Sequence, residues 1–146
     1  MRYTPLAAMG IIASVSSPAR AAPPQASGSA IKLSCAGPEA AATREIAVRG
    51  KLTLAAHPQA CLAQASMYGG SSKQIIAAAP SAACGGLKAI QIYDRSIAGP
   101  WGNLLEKPVC GTSVSFGPKN PWGATMITID GRHYDQRGQY YTPAKY

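Results

Sequence analysis

Across residues 45–54 apolar and polar positions alternate. Ile46, Val48, Leu52 and Leu54 fall on one side of an extended backbone, and Glu45, Arg49, Lys51 and Thr53 on the other. A period of two predicts a strand with one buried face. Gly50 interrupts the buried row, where a missing side chain admits a bend or the close approach of another strand. Alternation returns over residues 87–93, with Leu87, Ala89, Gln91 and Tyr93 opposite Lys88, Ile90 and Ile92. Gly99-Pro100 marks a turn, and residues 103–110 come back as a strand in which Pro108 lacks a ladder donor, which predicts an edge or a bulge. Val114 and Phe116 have strand spacing, residues 117–123 form a turn with two prolines, and the last clear strand is 124–130. There Thr125, Ile127 and Ile129 share a face and Gly131 closes the segment.

Residues 55–86 break this rhythm. They are rich in Ala, Ser and Gly, with Pro58 and Pro80 near the ends and Gly69-Gly70 in the middle. Residues 59–67 and 73–79 each allow a short helix, so this region is expected to be an Ala-rich insertion between strands, with helical potential. Short strands with turn punctuation on either side predict a mainly β fold, a small antiparallel barrel or sandwich.

The N-terminus changes the picture of where the domain works. Arg2 precedes a weakly polar run over residues 5–15 that is too short to span a bilayer. Ser16, Ser17 and Pro18 then break any helix, and Ala19-Arg20-Ala21 has the small-x-small pattern of a signal-peptidase site, which places the cut after Ala21. Residues 22–30, made of Pro, Ser, Gly, Gln and Ala, bury too little apolar surface to offset ordering and are expected to form a flexible leader. One domain, 31–146, follows. Cleavage leaves twelve Lys and Arg against six Asp and Glu, a net charge of +6 on 125 residues. A single Phe and two Trp provide little bulk for a core.

All four cysteines, Cys35, Cys61, Cys84 and Cys110, lie in the exported part, and an even count there reads as two disulfides. Their spacings of 26, 23 and 26 residues contain no Cys-x-x-Cys edge of a zinc site, so no metal is expected. Four cysteines admit three connectivities, and all three stay open on the sequence alone.

Three segments together resemble a family of uncharacterised exported bacterial domains. They are Val48-Arg49-Gly50-Lys51-Leu52 after Cys35; then Leu104-Leu105-Glu106-Lys107-Pro108-Val109-Cys110; and then Ile127-Thr128-Ile129-Asp130-Gly131, followed by Tyr141-Thr142-Pro143. The family pattern runs Cys, Val-x-Gly-x-Leu, Leu-x-x-Pro-x-Cys, Val-x-Val-x-Gly and Thr-Pro. The resemblance implies a small OB-like barrel, a Cys35–Cys110 bridge, and with it Cys61–Cys84. Where that family clusters histidines before Thr-Pro this chain has Gln139, Tyr140 and Tyr141, so metal binding does not carry over.

Candidate chemistry is sparse. His57 and His133 are the only histidines, no Gly-x-Ser-x-Gly elbow exists, and six acids are scattered singly, which argues against nucleophilic hydrolysis and paired-carboxylate chemistry. Gly69-Gly70-Ser71-Ser72-Lys73 lacks the spacing of a phosphate loop. The run 131–141 stands out because cationic and aromatic residues interleave. Guanidinium groups can hold phosphate or carboxylate there while rings stack on sugars or bases. Its candidates are Arg132, His133, Tyr134, Arg137, Tyr140 and Tyr141; the competing reading is that the tyrosines cover a thin core and the arginines are solvated.

Net positive charge attracts anions. The expectation is a non-enzymatic envelope domain, periplasmic or secreted, without cofactor, binding an anionic glycan, lipid head groups or a protein. Export argues against nucleic acid. The alternative is a secreted inhibitor of a protease or lysozyme, using a Cys61–Cys84 stapled loop.

Overall fold

The computed structural model describes residues 29–67, 72–96 and 99–145. The expected signal peptide 1–21, the expected leader up to residue 28, and Gly69, Gly70 and Ser71 of the phosphate-loop candidate lie outside the described residues. Ser29–Ala30 forms strand β1, paired with Phe116 and Ser115, so two residues assigned to the flexible leader belong to a sheet.

Residues 45–54 do not form a strand. Pro38–Arg49 is helix α1. Pro38 at its first turn has a preset φ and no N–H to leave unpaired, Glu39 suits the positive end of the helix dipole, and the Thr43 hydroxyl bonds back to the Glu39 carbonyl. Ala40, Thr43 and Ala47 repeat at helical spacing and are buried, while Val48, assigned to the core by alternation, is 58% exposed. Past the cap at Gly50, Lys51 takes φ 60°, the Lys51 N–H reaches the Val48 carbonyl and the Leu52 N–H reaches that of Ala47. This double closure is the Schellman stop, with Leu52 packed in the same core as Ala47.

The expected Ala-rich insertion is the centre of the fold. Cys61–Met67 (β2) and Ser72–Pro80 (β3) pair antiparallel, and β3 pairs along its whole length with Lys88–Ser96 (β4). Gln74 to Ala79 are all buried, because this sheet is covered on both faces. A strand buried on both sides reads as a continuous apolar run without alternation, which is why the sequence resembled a helix there. Ile75, Ala77 and Ala79 pack with Ala47 and Leu52 on the α1 side; Ile76 and Ala78 face the other way. Alanines keep both layers close.

The opposite layer is a second antiparallel sheet. Its members are β1, Val114–Lys119 (β7), Thr125–Ile129 (β8), Arg132–Arg137 (β9) and Tyr140–Pro143 (β10). Strand β7 runs through the predicted turn at Gly117-Pro118, with its register shifted between Phe116 and Lys119. Asp130-Gly131, both at positive φ, makes the two-residue hairpin between β8 and β9, and β9–β10 is a hairpin that alternation left unassigned. Val114, Ile127, Ile129, Tyr134 and Tyr141 meet Ile76, Ile90 and Ile92 in the core between the sheets.

The expected strand 103–110 is split into Gly102–Asn103 (β5) and Val109–Gly111 (β6), both on the free side of β4. Gln91 fills the gap between them: its side-chain amide donates to the Leu105 carbonyl at 3.1 Å, and its oxygen accepts from the Leu105 and Ile92 N–H groups.

Among the described residues the fold is therefore mainly β, two antiparallel sheets with one α-helix outside. The sheet margins touch where Ser34 bridges Leu62 and where the Tyr141 N–H donates to the Leu104 carbonyl. The disulfides are Cys35–Cys61 and Cys84–Cys110, which corrects the pairing implied by the resemblance. The cause is topological. The Ser34–Leu62 bridge sets Cys35 beside Cys61, while Cys84 follows β3 and Cys110 lies in β6, across β4 from it. Among the described residues no helix is long and apolar enough to cross a membrane.

Candidate functional site

The basic-aromatic run does not present its residues together. In β9 and β10 side chains alternate, so Tyr134 and Tyr141, 5% and 3% exposed, point into the core between the sheets. Arg132 is exposed at the end of β9 next to the Asp130-Gly131 turn. His133 is half-buried, with Nδ1 2.8 Å from the Thr128 hydroxyl. Asp135, two positions after His133 and buried, is satisfied by the Asn120 side-chain amide at 3.1 and 3.3 Å and by the Gln136 N–H. Arg137 and Tyr140 do share a face, as direct cross-strand partners. The core-cover reading thus holds for two of the three tyrosines, and Tyr140 is the one left at a surface cleft.

A stronger constellation lies across the other sheet. Lys73 on β3 and Arg95 on β4 are direct cross-strand partners, and both stand on the α1 side, in line with Ile75 and Tyr93. Like charges set opposite each other in a ladder destabilise it by roughly 0.2–1 kcal/mol. Arg49, from the last turn of α1, joins them around a cleft of about 460 Å³, and among the described residues no acid lines it. Arg49 also meets Glu45 at 3.5 Å, but both side chains are about three-quarters exposed, so that pair is weak. Gln64 adds an amide to the same wall; Gln74 also lines it, but its side chain lies on the other face of β3, bonded to Asp94.

Trp101 forms the remaining wall, and its position depends on Gly50. A Cβ at residue 50 would lie 2.9 Å from the indole Cδ1, so the end of α1 must be glycine for the ring to seat. The same indole, with Pro100, lines a second cleft of about 510 Å³ whose other walls include Asp94, Asn103, Gln139 and Tyr140. The two clefts are coupled at the base, since the Gln74 amide donates to the Asp94 carboxylate at 2.6 Å.

Compared with protein-family models, with curated proteins and with solved structures, the chain matches none. Geometry and chemistry are accordingly the basis for reading this site. One cleft offers three cations and the Gln64 amide to an anion; the other offers two rings, two amides and a carboxylate to a neutral polar group.

The two groups whose acidity is shifted sit elsewhere and are structural. Asp130 has its pKa lowered, chiefly by the Thr112 N–H, with further bonds from the Ser113 N–H and from both hydroxyls. Tyr93 has its pKa raised by burial, against a bond from the Leu54 N–H to its hydroxyl. Arg44 is likewise occupied, donating to the His57 and Ala60 carbonyls and tying α1 to the loop before β2. Among the described residues no three His, Cys, Asp or Glu side chains cluster as metal ligands.

Sequence reasoning missed Arg49, Lys73, Arg95 and Trp101 because they are distant in sequence and isolated in composition. The signal was available in principle. Had β3 and β4 been paired as a hairpin, Lys73 and Arg95 would have appeared as a like-charge pair.

Proposed function

We propose that this chain is an exported, non-enzymatic domain that binds an anionic polymer, with the anion held between Arg49, Lys73 and Arg95 beside Trp101. The observation that carries the reading is the Lys73–Arg95 pair. Two cations placed opposite each other, with a third across the cleft and no acid between them among the described residues, oppose folding and are relieved when an anion enters. The site moves from the C-terminal run to the other sheet, and only Tyr140 of the original set stays near it. Two disulfides are consistent with an oxidising, extracytoplasmic setting. The OB-like barrel enters this reading only through the two margin contacts, Ser34 with Leu62 and Leu104 with Tyr141. The hydrolase-inhibitor alternative loses its motive, because Cys61 and Cys84 belong to different bridges and β2–β3 is a core hairpin.

The test is retention of the protein, purified from an oxidising compartment, on anionic polymers at low and moderate salt. Arg95→Ala and Lys73→Ala are each expected to weaken binding about tenfold, the equivalent of 1.4 kcal/mol, and Arg132→Ala to leave it unchanged. If the Arg132 variant loses binding while the Arg95 and Lys73 variants keep it, the site is misplaced.

A further inference from the structure

Resting on that reading, we propose that the second cleft is a sugar-ring subsite, and that the polymer is an acidic polysaccharide in which a neutral sugar adjoins each acid-bearing one. Three features lead there. Trp101 and Pro100 line both clefts, so one ligand can lie across the shared indole with successive units on either side. The two halves differ in charge: among the described residues the first is lined by three cations and no acid, whereas the only charged group lining the second is Asp94. The second also sets the rings of Trp101 and Tyr140 among Asp94, Asn103 and Gln139, a mixture of apolar faces, donors and acceptors.

A polymer charged at every unit does not suit this pairing. Nucleic acid or polyphosphate seated in the cationic cleft would bring its next phosphate towards Asp94, whose carboxylate repels it. Sugars carry apolar C–H faces and hydroxyls that both donate and accept. The faces pack on aromatic rings, and the hydroxyls match an amide, which does both, and a carboxylate, which accepts. The cleft's volume falls within the ~300–1,000 Å³ usual for small-molecule sites.

The walls are held before any ligand arrives. Trp101 rests on Gly50, and Tyr140 precedes Tyr141, whose N–H is bonded to the Leu104 carbonyl at 2.7 Å. The Asp94 carboxylate is held by the Gln74 amide. Little ordering is needed on binding, which favours affinity.

The experiment is calorimetric titration of protein exported from the full reading frame with four probes: the alternating glucuronate–N-acetylglucosamine tetrasaccharide, tetragalacturonate, neutral chitotetraose, and inorganic polyphosphate. The alternating tetrasaccharide should bind tightest. Tyr140→Ala should weaken it about tenfold and leave polyphosphate unchanged, while Tyr140→Phe, which keeps the ring, should stay within about threefold. Arg95→Ala should weaken both acidic sugars and polyphosphate. Asp94→Asn should raise affinity for tetragalacturonate, the probe that puts an acid in the second cleft. If polyphosphate binds as tightly as the alternating sugar and Tyr140→Ala changes neither, the sugar subsite is overturned while the anion cleft stands. If no probe binds, both readings fall.

Discussion

Gln91 gives the most stringent stability test of this fold. It is 2% exposed, lies on β4 and replaces a missing stretch of ladder between β5 and β6. Replacing it by leucine keeps most of the volume and removes every bond it makes. The Leu105 N–H, the Leu105 carbonyl and the Ile92 N–H each lose a partner in a region where Leu105 is 1% exposed. A buried backbone group left unpaired costs ~1–3 kcal/mol, so three give roughly 3–6 kcal/mol after some relaxation. That is a large share of the ~5–15 kcal/mol by which a domain is stable. Urea unfolding at pH 7 should show the loss, and hydrogen exchange should show the Leu105 amide exposed first. Gln91→Glu adds a check of sign. Its carboxylate can still accept from both N–H groups, but it faces the Leu105 carbonyl and is desolvated, so its folded pKa is raised above the usual ~4.3. This variant should be most stable in acid, where a protonated carboxyl can donate, and should weaken as pH rises through that value. A Gln91→Leu protein within 1 kcal/mol of wild type, with Leu105 still protected, would refute the idea that one side chain replaces the ladder.

Three further outcomes follow from the geometry. Asp130→Asn keeps the positive φ that Asn tolerates but removes the charge that accepts from Thr112 and Ser113. Because the folded pKa is lowered, wild-type stability from this group is present above the unfolded value of ~3.9 and fades as pH falls through the folded one; the gap between the two proteins in urea should close in acid, and a constant gap would count against the assignment. Gly50→Ala should cost ~1–3 kcal/mol by displacing Trp101, against the modest gain a glycine-to-alanine change gives at an unstrained position, and should shift tryptophan fluorescence and weaken anion retention together. A non-reduced tryptic digest should yield Cys35–Cys61 and Cys84–Cys110 peptides, each bridge spanning 26 residues and stabilising by about 3–4 kcal/mol on loop closure; peptides joining Cys61 to Cys84 would show the topology to be wrong.

Two strands announced themselves in the sequence. Strand β8 was visible because one of its faces meets a less crowded side, and β4 because Lys88 and Asp94 bracket its apolar stretch. The hairpin turn at Asp130-Gly131 was written in its residue types, since both positions need positive φ. The helix start at Gly37-Pro38-Glu39 was also present locally, but the alternation of Ile46, Val48, Leu52 and Leu54 competed with it. That competition was settled by α1 needing a small, flat face, Ala40, Thr43 and Ala47, to lie on a sheet of alanines.

By itself the sequence determined the mainly β class, the presence of two bridges and the basic charge, because these depend on local pattern and composition. Pairing decided the rest. Which cysteines meet follows from which strands are neighbours, and the Ala-rich stretch becomes a core strand only because layers close over both its faces. The candidate site is a product of register: Lys73 and Arg95 are 22 positions apart in the chain and directly opposite in the sheet. Strand register is a property of the whole sheet, set by burial on both faces at once, and no local window contains it.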